Sequence, residues 1–142
     1  MNVKLREKVQ NTYGEWLGNY KWDYFCTFTT RYQLTLPSAR RLMYRFYDMN
    51  ELKMTGASRF FWCAEPFDTR VGYHTHGLLE CNEILSKNDL GLIYQVAAGN
   101  KEKLKSDWHR IQLRNYNEKL GASYYCGKYI TKNLADYDIW ER

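Results

Sequence analysis

A chain of 142 residues, 44% of them apolar and 17% aromatic, is long enough to bury one hydrophobic core, so disorder is excluded and residues 1–142 are expected to form a single domain. Its 21 basic and 16 acidic side chains leave a formal charge of +5, and 13 tyrosines and 5 tryptophans accompany it. Such a surface suits a polyanion that also offers ring faces, single-stranded nucleic acid above all, although charge by itself discriminates little. No apolar run approaches a membrane span. The opening residues 1–10 (MNVKLREKVQ) are charged throughout and unlike a signal peptide, so a cytoplasmic protein without membrane contact is expected. Cys26, Cys63, Cys81 and Cys126 show no C-x-x-C spacing and lie within apolar segments, which reads as reduced core thiols rather than a zinc site.

Residues 3–19 place Leu5, Val9, Tyr13, Trp16 and Leu17 near helical spacing, and a first helix is expected there. Residues 21–30 (KWDYFCTFTT) are rich in aromatic residues and threonine and read as a strand. Pro37 then fits a helix first turn behind Thr35 as N-cap. Ala39, Leu42, Met43, Phe46 and Met49 continue as an apolar stripe, with a break at Thr55-Gly56. Residues 58–65 (SRFFWCAE) and 72–81 read as two strands joined by a turn at 66–71, a hairpin. Residues 82–100 give no clear pattern. Residues 100–109 are a short helix candidate, 111–116 (IQLRNY) a fourth strand and 120–134 a final helix. The order α-β-α-β-β-α-β-α predicts an α+β fold, a central antiparallel sheet with flanking helices mainly on one face.

Two of the three histidines, His74 and His76, stand one residue apart in the segment GYHTHGLLE. Side chains alternate along a strand, so both imidazoles share a face, about 7 Å apart along the backbone. Neutral imidazole is a common ligand of divalent metals. Glu65, ending the preceding strand of the same hairpin, is the obvious third ligand. Two histidines and a carboxylate leave coordination positions open for water and substrate, as a catalytic site requires. Glu80 shares the parity of the histidines and is a weaker ligand candidate, and His109 is expected to be structural or on the surface. Taken alone, the pair would equally fit a solvated sheet face.

Residues 124–132 read YYCGKYITK. On a helix, Ala122, Cys126, Ile130 and Leu134 form a core-facing stripe, and Tyr125, Tyr129 and Lys132 lie along one flank, with Lys128 a turn from Tyr125. Tyrosine is a poor nucleophile at its free pKa of about 10. Nearby lysine charge favours the phenolate, and a metal on an attacked phosphate would add to that help. A plain amphipathic helix in a tyrosine-rich chain fits the same pattern.

Three motifs stand together in one order: the strand Phe25-Cys26-Thr27-Phe28-Thr29-Thr30, the strand His74-Thr75-His76-Gly77-Leu78-Leu79, and Tyr125-Cys126-Gly127-Lys128 followed at once by Tyr129-Ile130-Thr131-Lys132. In combination they resemble the HUH superfamily of single-strand endonucleases, in particular the rolling-circle replication initiators (Rep proteins) of plasmids, phages and small single-stranded DNA viruses. The resemblance spans roughly residues 21–134. Thr75 departs from the bulky aliphatic residue usual between the histidines. The resemblance implies a ferredoxin-like, RRM-like core and a Mn²⁺ or Mg²⁺ ion held by His74, His76 and Glu65. It implies nicking and joining of single-stranded DNA through a 5′-phosphotyrosine on Tyr125 or Tyr129, with Lys128 and Lys132 in support. Tyr125, the first of the pair, is favoured for the initial attack. Tyr129 would serve a second transfer or be the sole nucleophile, with Asn133 as an accessory ligand. The implied partner is a replication origin bearing a stem-loop, with a host helicase as accessory, in the cytoplasm of a prokaryotic host. Two alternatives stay open. A relaxase or transposase of the same superfamily would share the chemistry, and a non-catalytic RRM-like module would use the sheet only for base stacking.

Overall fold

A computed structural model describes residues 15–54, 57–81, 86–99, 109–120 and 136–141. In β1 (Tyr24–Thr29) the residues alternate between two environments. Tyr24, Cys26 and Phe28 enter one apolar cluster, whereas Phe25 enters a second on the opposite face. Helix α1 (Leu36–Met54) follows. It is capped reciprocally: Thr35 Oγ1 accepts from the Ser38 amide at 3.2 Å, and the Thr35 amide donates to Ser38 Oγ at 2.8 Å. Thr35 is therefore the N-cap that the sequence suggests, with Pro37 in the first turn. Ala39, Leu42, Met43 and Phe46 are fully buried along one stripe of the helix.

The hairpin is formed by β2 (Ala57–Pro66) and β3 (Tyr73–Cys81). Two glycines shape it. Gly72 adopts φ +110° at the loop end, a conformation that side chains resist, and its carbonyl accepts from the Phe67 amide at 3.0 Å. Gly77 lies mid-strand because the Phe60 ring crosses it: a Cβ there would fall 2.8 Å from Phe60 Cζ.

Helix α2 (Lys87–Ala97) occupies the stretch that gave no clear pattern. Ser86 caps it by accepting from the Asp89 amide at 3.1 Å. Leu90, Ile93, Tyr94 and Ala97 supply the buried stripe. Strand β4 (Arg110–Asn115) matches the expected fourth strand to within a residue. Strand β5 (Asp136–Glu141) has no counterpart in the sequence reading. Arg40 explains how its acids are accommodated: the guanidinium holds Asp136 at 2.9 Å and Asp138 at 2.6 Å from the helix side of the sheet.

The five strands run in the order β4-β1-β3-β2-β5, every neighbouring pair antiparallel. The fold is α+β, and β1-α1-β2-β3-α2-β4 forms a ferredoxin-like arrangement with β5 added beside β2. The main core lies between one sheet face and the two helices, around Phe28, Phe46, Phe60, Trp62, Leu79 and Tyr94. On the other face a smaller cluster gathers Leu17, Trp22, Phe25, Phe61, Cys63 and Leu78.

Of the expected first helix, residues 15–18 are helical, Asn19 lies in a turn, and residues 3–14 fall outside the described residues. The same holds for the helix candidate at 100–109 except His109, which precedes β4 at a bend. Leu120 lies in a turn, its amide bonded to the Asn117 carbonyl at 3.1 Å, rather than starting a helix. The remainder of the tyrosine segment, with Tyr125, Lys128, Tyr129, Lys132 and Asn133, lies outside the described residues, as does Cys126. Cys26, Cys63 and Cys81 are free thiols. Among the described residues no helix is long and apolar enough to cross a membrane.

Candidate metal centre

The register of the hairpin creates the site. Glu65 stands directly opposite His74, and Cys63 directly opposite His76, so Glu65 and both imidazoles project from the face away from α1 and α2. Glu65 Oε2 lies 3.1 Å from His74 Nε2 and 2.8 Å from His76 Nε2. One ligand atom from each residue falls within 4.8 Å of the others, a group that could hold a metal ion. The two imidazoles meet edge to face with centroids 4.7 Å apart.

The surroundings fix these three side chains. Phe25 stacks parallel to the His76 ring at 5.9 Å, and Phe67 from the hairpin loop lies 4.8 Å from the His74 ring. The side chains are only 6% (His76), 14% (Glu65) and 18% (His74) exposed, between the smaller apolar cluster and the loop. Arg70 covers the Phe67 ring at 3.9 Å and, with Pro66, Gly72 and Tyr73, borders a neighbouring groove of about 460 Å³. Burial works against ionisation of Glu65, yet the hydrogen bonds and charge of His74 and His76 outweigh it and hold the carboxyl pKa at about 2. The carboxylate is therefore available as an anionic ligand at any physiological pH.

Behind His76 stands Thr27, its direct partner across β1 and β3, with Oγ1 3.2 Å from Nδ1. A histidine that offers Nε2 to a metal carries its proton on Nδ1 and needs an acceptor there, and a hydroxyl serves as either donor or acceptor. The donor set fits a divalent cation: two imidazole nitrogens and one carboxylate converge, and His74 Nδ1 is buried with no hydrogen-bond partner among the described residues. Such a set suits a cation with exchangeable positions better than a closed structural site.

Beyond the centre, the same face extends over Thr27 and Thr29 to Gln112 and Arg110, which pair with them on edge strand β4, and to Arg114 opposite Phe25. Arg110, Gln112 and Arg114 are exposed. This row of hydrogen-bonding and cationic groups beside the centre was not singled out from sequence, although the weak alternation of IQLRNY contains its signal.

Glu80, the weaker ligand candidate, is engaged elsewhere: it pairs with Arg59, which also binds Glu141 at 2.8 Å. His109 is structural. It is buried, its Nδ1 accepts from the Arg31 amide at 3.2 Å, and its backbone is held by Gln95. Comparison with protein families, characterised proteins and solved structures finds no match to this chain.

Proposed function

We propose that the protein is a metal-dependent endonuclease and strand transferase acting on single-stranded DNA, of the kind that initiates rolling-circle replication. The observation that carries this reading is the convergence of Glu65, His74 and His76 on one sheet face, beside a row of exposed basic and polar side chains. The order of motifs in the sequence supplies the nucleophile, Tyr125 or Tyr129. A Mn²⁺ or Mg²⁺ ion, when bound, would withdraw charge from a phosphodiester oxygen. His74, His76 and Glu65 would hold that ion; Thr27 keeps the His76 ring in place; Arg110, Gln112 and Arg114 would engage the phosphates and bases of the flanking strand. The tyrosine oxygen forms a bond to phosphorus as the bond to the 3′ oxygen breaks. The phenol proton leaves through solvent, and the departing 3′ oxygen takes one up. The reverse reaction rejoins strands.

The test uses labelled single-stranded oligonucleotides of randomised sequence, with Mn²⁺ or with EDTA. The expected result is cleavage with a covalent protein–DNA band only with Mn²⁺, mapping to Tyr125 or Tyr129 and absent from the His74→Ala/His76→Ala double variant. Tight, sequence-tolerant binding without any adduct under Mn²⁺ would leave a non-catalytic nucleic-acid-binding module instead.

A further inference from the structure

On the far side of the sheet from the metal centre, α1 and β5 enclose a groove of about 410 Å³ lined by Arg40, Arg41, Tyr44, Arg45 and Trp140. Its charges are unequal in their commitments. Arg40 is occupied by Asp136 and Asp138 and lies over the Trp62 ring. Arg45 uses Nε to donate to the Ala97 carbonyl at 3.0 Å, which leaves its two terminal nitrogens, and Arg41 is exposed with no ion pair among the described residues. Asp48, a turn further along, does not line the groove. Arg41 and Arg45 are i and i+4 neighbours on an exposed helix face, a like-charge arrangement that works against folding unless an anion relieves it. Between them stands Tyr44, half exposed, its ring held edge-on by Trp140 at 5.4 Å and 90°. A cationic pair with no ion pair among the described residues, flanking a braced, open aromatic ring, is the combination that binds a phosphodiester together with a stacked base.

We infer that this groove is a second contact for single-stranded nucleic acid, built from Arg41, Tyr44 and Arg45 and braced by Trp140. The identity of the polymer rests on the proposed function; the site does not depend on metal or on the nucleophile. Strand β5 separates the two contacts, with Tyr137 and Ile139 on the metal side and Trp140 on the helix side. One strand reaching both must therefore turn around the β5 edge, which makes the contribution of the groove dependent on oligonucleotide length.

The experiment measures binding of fluorescent oligo-dT of 8 and 30 nucleotides in EDTA, across a salt series, for the wild type, Arg41→Glu and Tyr44→Ser, each checked by circular dichroism. Arg41 and Tyr44 are exposed, so folding is expected to survive both changes. The expected result is a loss on the order of 10-fold for the 30-mer in each variant. Arg41→Glu should also lower the salt slope by about 0.7, one phosphate contact. In the wild type, a 30-mer carrying 5-iodouracil should crosslink to the α1 peptide containing Tyr44. Wild-type affinity and slope in both variants, crosslinks confined to other elements, or no binding of the 30-mer by the wild type would each overturn the inference. Metal-dependent cleavage is scored separately with Mn²⁺ on the wild type. Its failure would count against the proposed function while the EDTA titrations still decide on the groove.

Discussion

Thr27 and His76 face each other across β1 and β3 with 3.2 Å between hydroxyl and Nδ1, so the ring that offers Nε2 toward Glu65 is steadied from behind by a neighbouring strand. Removing that hydroxyl without changing side-chain volume should release the ring and weaken Mn²⁺ binding. Thr27→Val is expected to weaken it about 10-fold and Thr27→Ser to restore it, read by isothermal titration calorimetry. Equal affinities in the three proteins would show that the hydroxyl does not orient the ligand.

Glu65 gives a pH-dependent signature in the metal-free protein. Its pKa in the fold is about 2, below the value of about 4.3 for free glutamate. A lowered carboxyl pKa stabilises the fold above the free value, and that stabilisation is lost as pH falls toward the folded value. Glu65→Gln should therefore cost about 1–3 kcal/mol at pH 6 in EDTA. The gap should narrow between about pH 4.3 and pH 2. Urea unfolding across that window checks it, and a gap independent of pH would contradict the argument.

His109 should act in the same direction but nearer neutrality. Burial, and after it the charge of Arg31, lower its pKa from the ordinary histidine value. The folded chain therefore binds fewer protons there than the unfolded chain. Its contribution is complete above about pH 6.5 and lost as pH falls through the lower folded value. Protonation also removes the acceptor used by the Arg31 amide. The wild type should lose thermal stability on acidification from pH 7.5 to 5. His109→Asn, which keeps an acceptor but does not titrate, should lose less; parallel melting curves would assign the acid sensitivity to other groups.

Gly77 offers a packing test on the sheet face opposite the ligand side chains. A methyl group there would meet the Phe60 ring well inside contact distance, with the Phe61 carbonyl oxygen 3.1 Å away. Gly77→Ala is expected to destabilise by about 1–3 kcal/mol. Combining it with Phe60→Leu should cost less than the sum of the two single changes, a coupling measured by a double-mutant cycle. Strict additivity would mean that the ring does not set the requirement for glycine.

The hairpin and its ligand group were legible because both rest on local rules. Alternation fixes which side chains of 57–66 and 73–81 share a face, and a short turn fixes their register, so Glu65 was placed beside His74 and His76 from spacing alone. Helix α2 was equally local but overlooked. Ser86 and Asp89 form an N-terminal cap signal and Leu90, Ile93, Tyr94 and Ala97 keep helical spacing, while Gly91 and the polar run Lys87-Asn88-Asp89 obscure the stripe. Strand β5 could not be read locally. Asp136 and Asp138 occupy its core-side positions, and they are tolerated there only because Arg40 meets them from 96 and 98 residues away. Thr27 as support for His76 required the pairing of β1 with β3, a contact 49 residues apart in sequence.

The containment of Glu65, His74 and His76 within one hairpin bears on the order in which the molecule assembles and opens. Glu65 and His76 are only 11 residues apart, so bringing the donors together closes a short loop at little entropic cost. The edge contacts are far more distant in sequence, as between Arg59 and Glu141, 82 residues apart. Contacts of low sequence separation form early, and edge strands of six residues are the first to exchange their amides with solvent. Brief fraying of β4 or β5 would thus disturb the edge surfaces while leaving the three donors assembled, which separates the lifetime of the donor group from that of the surface around it.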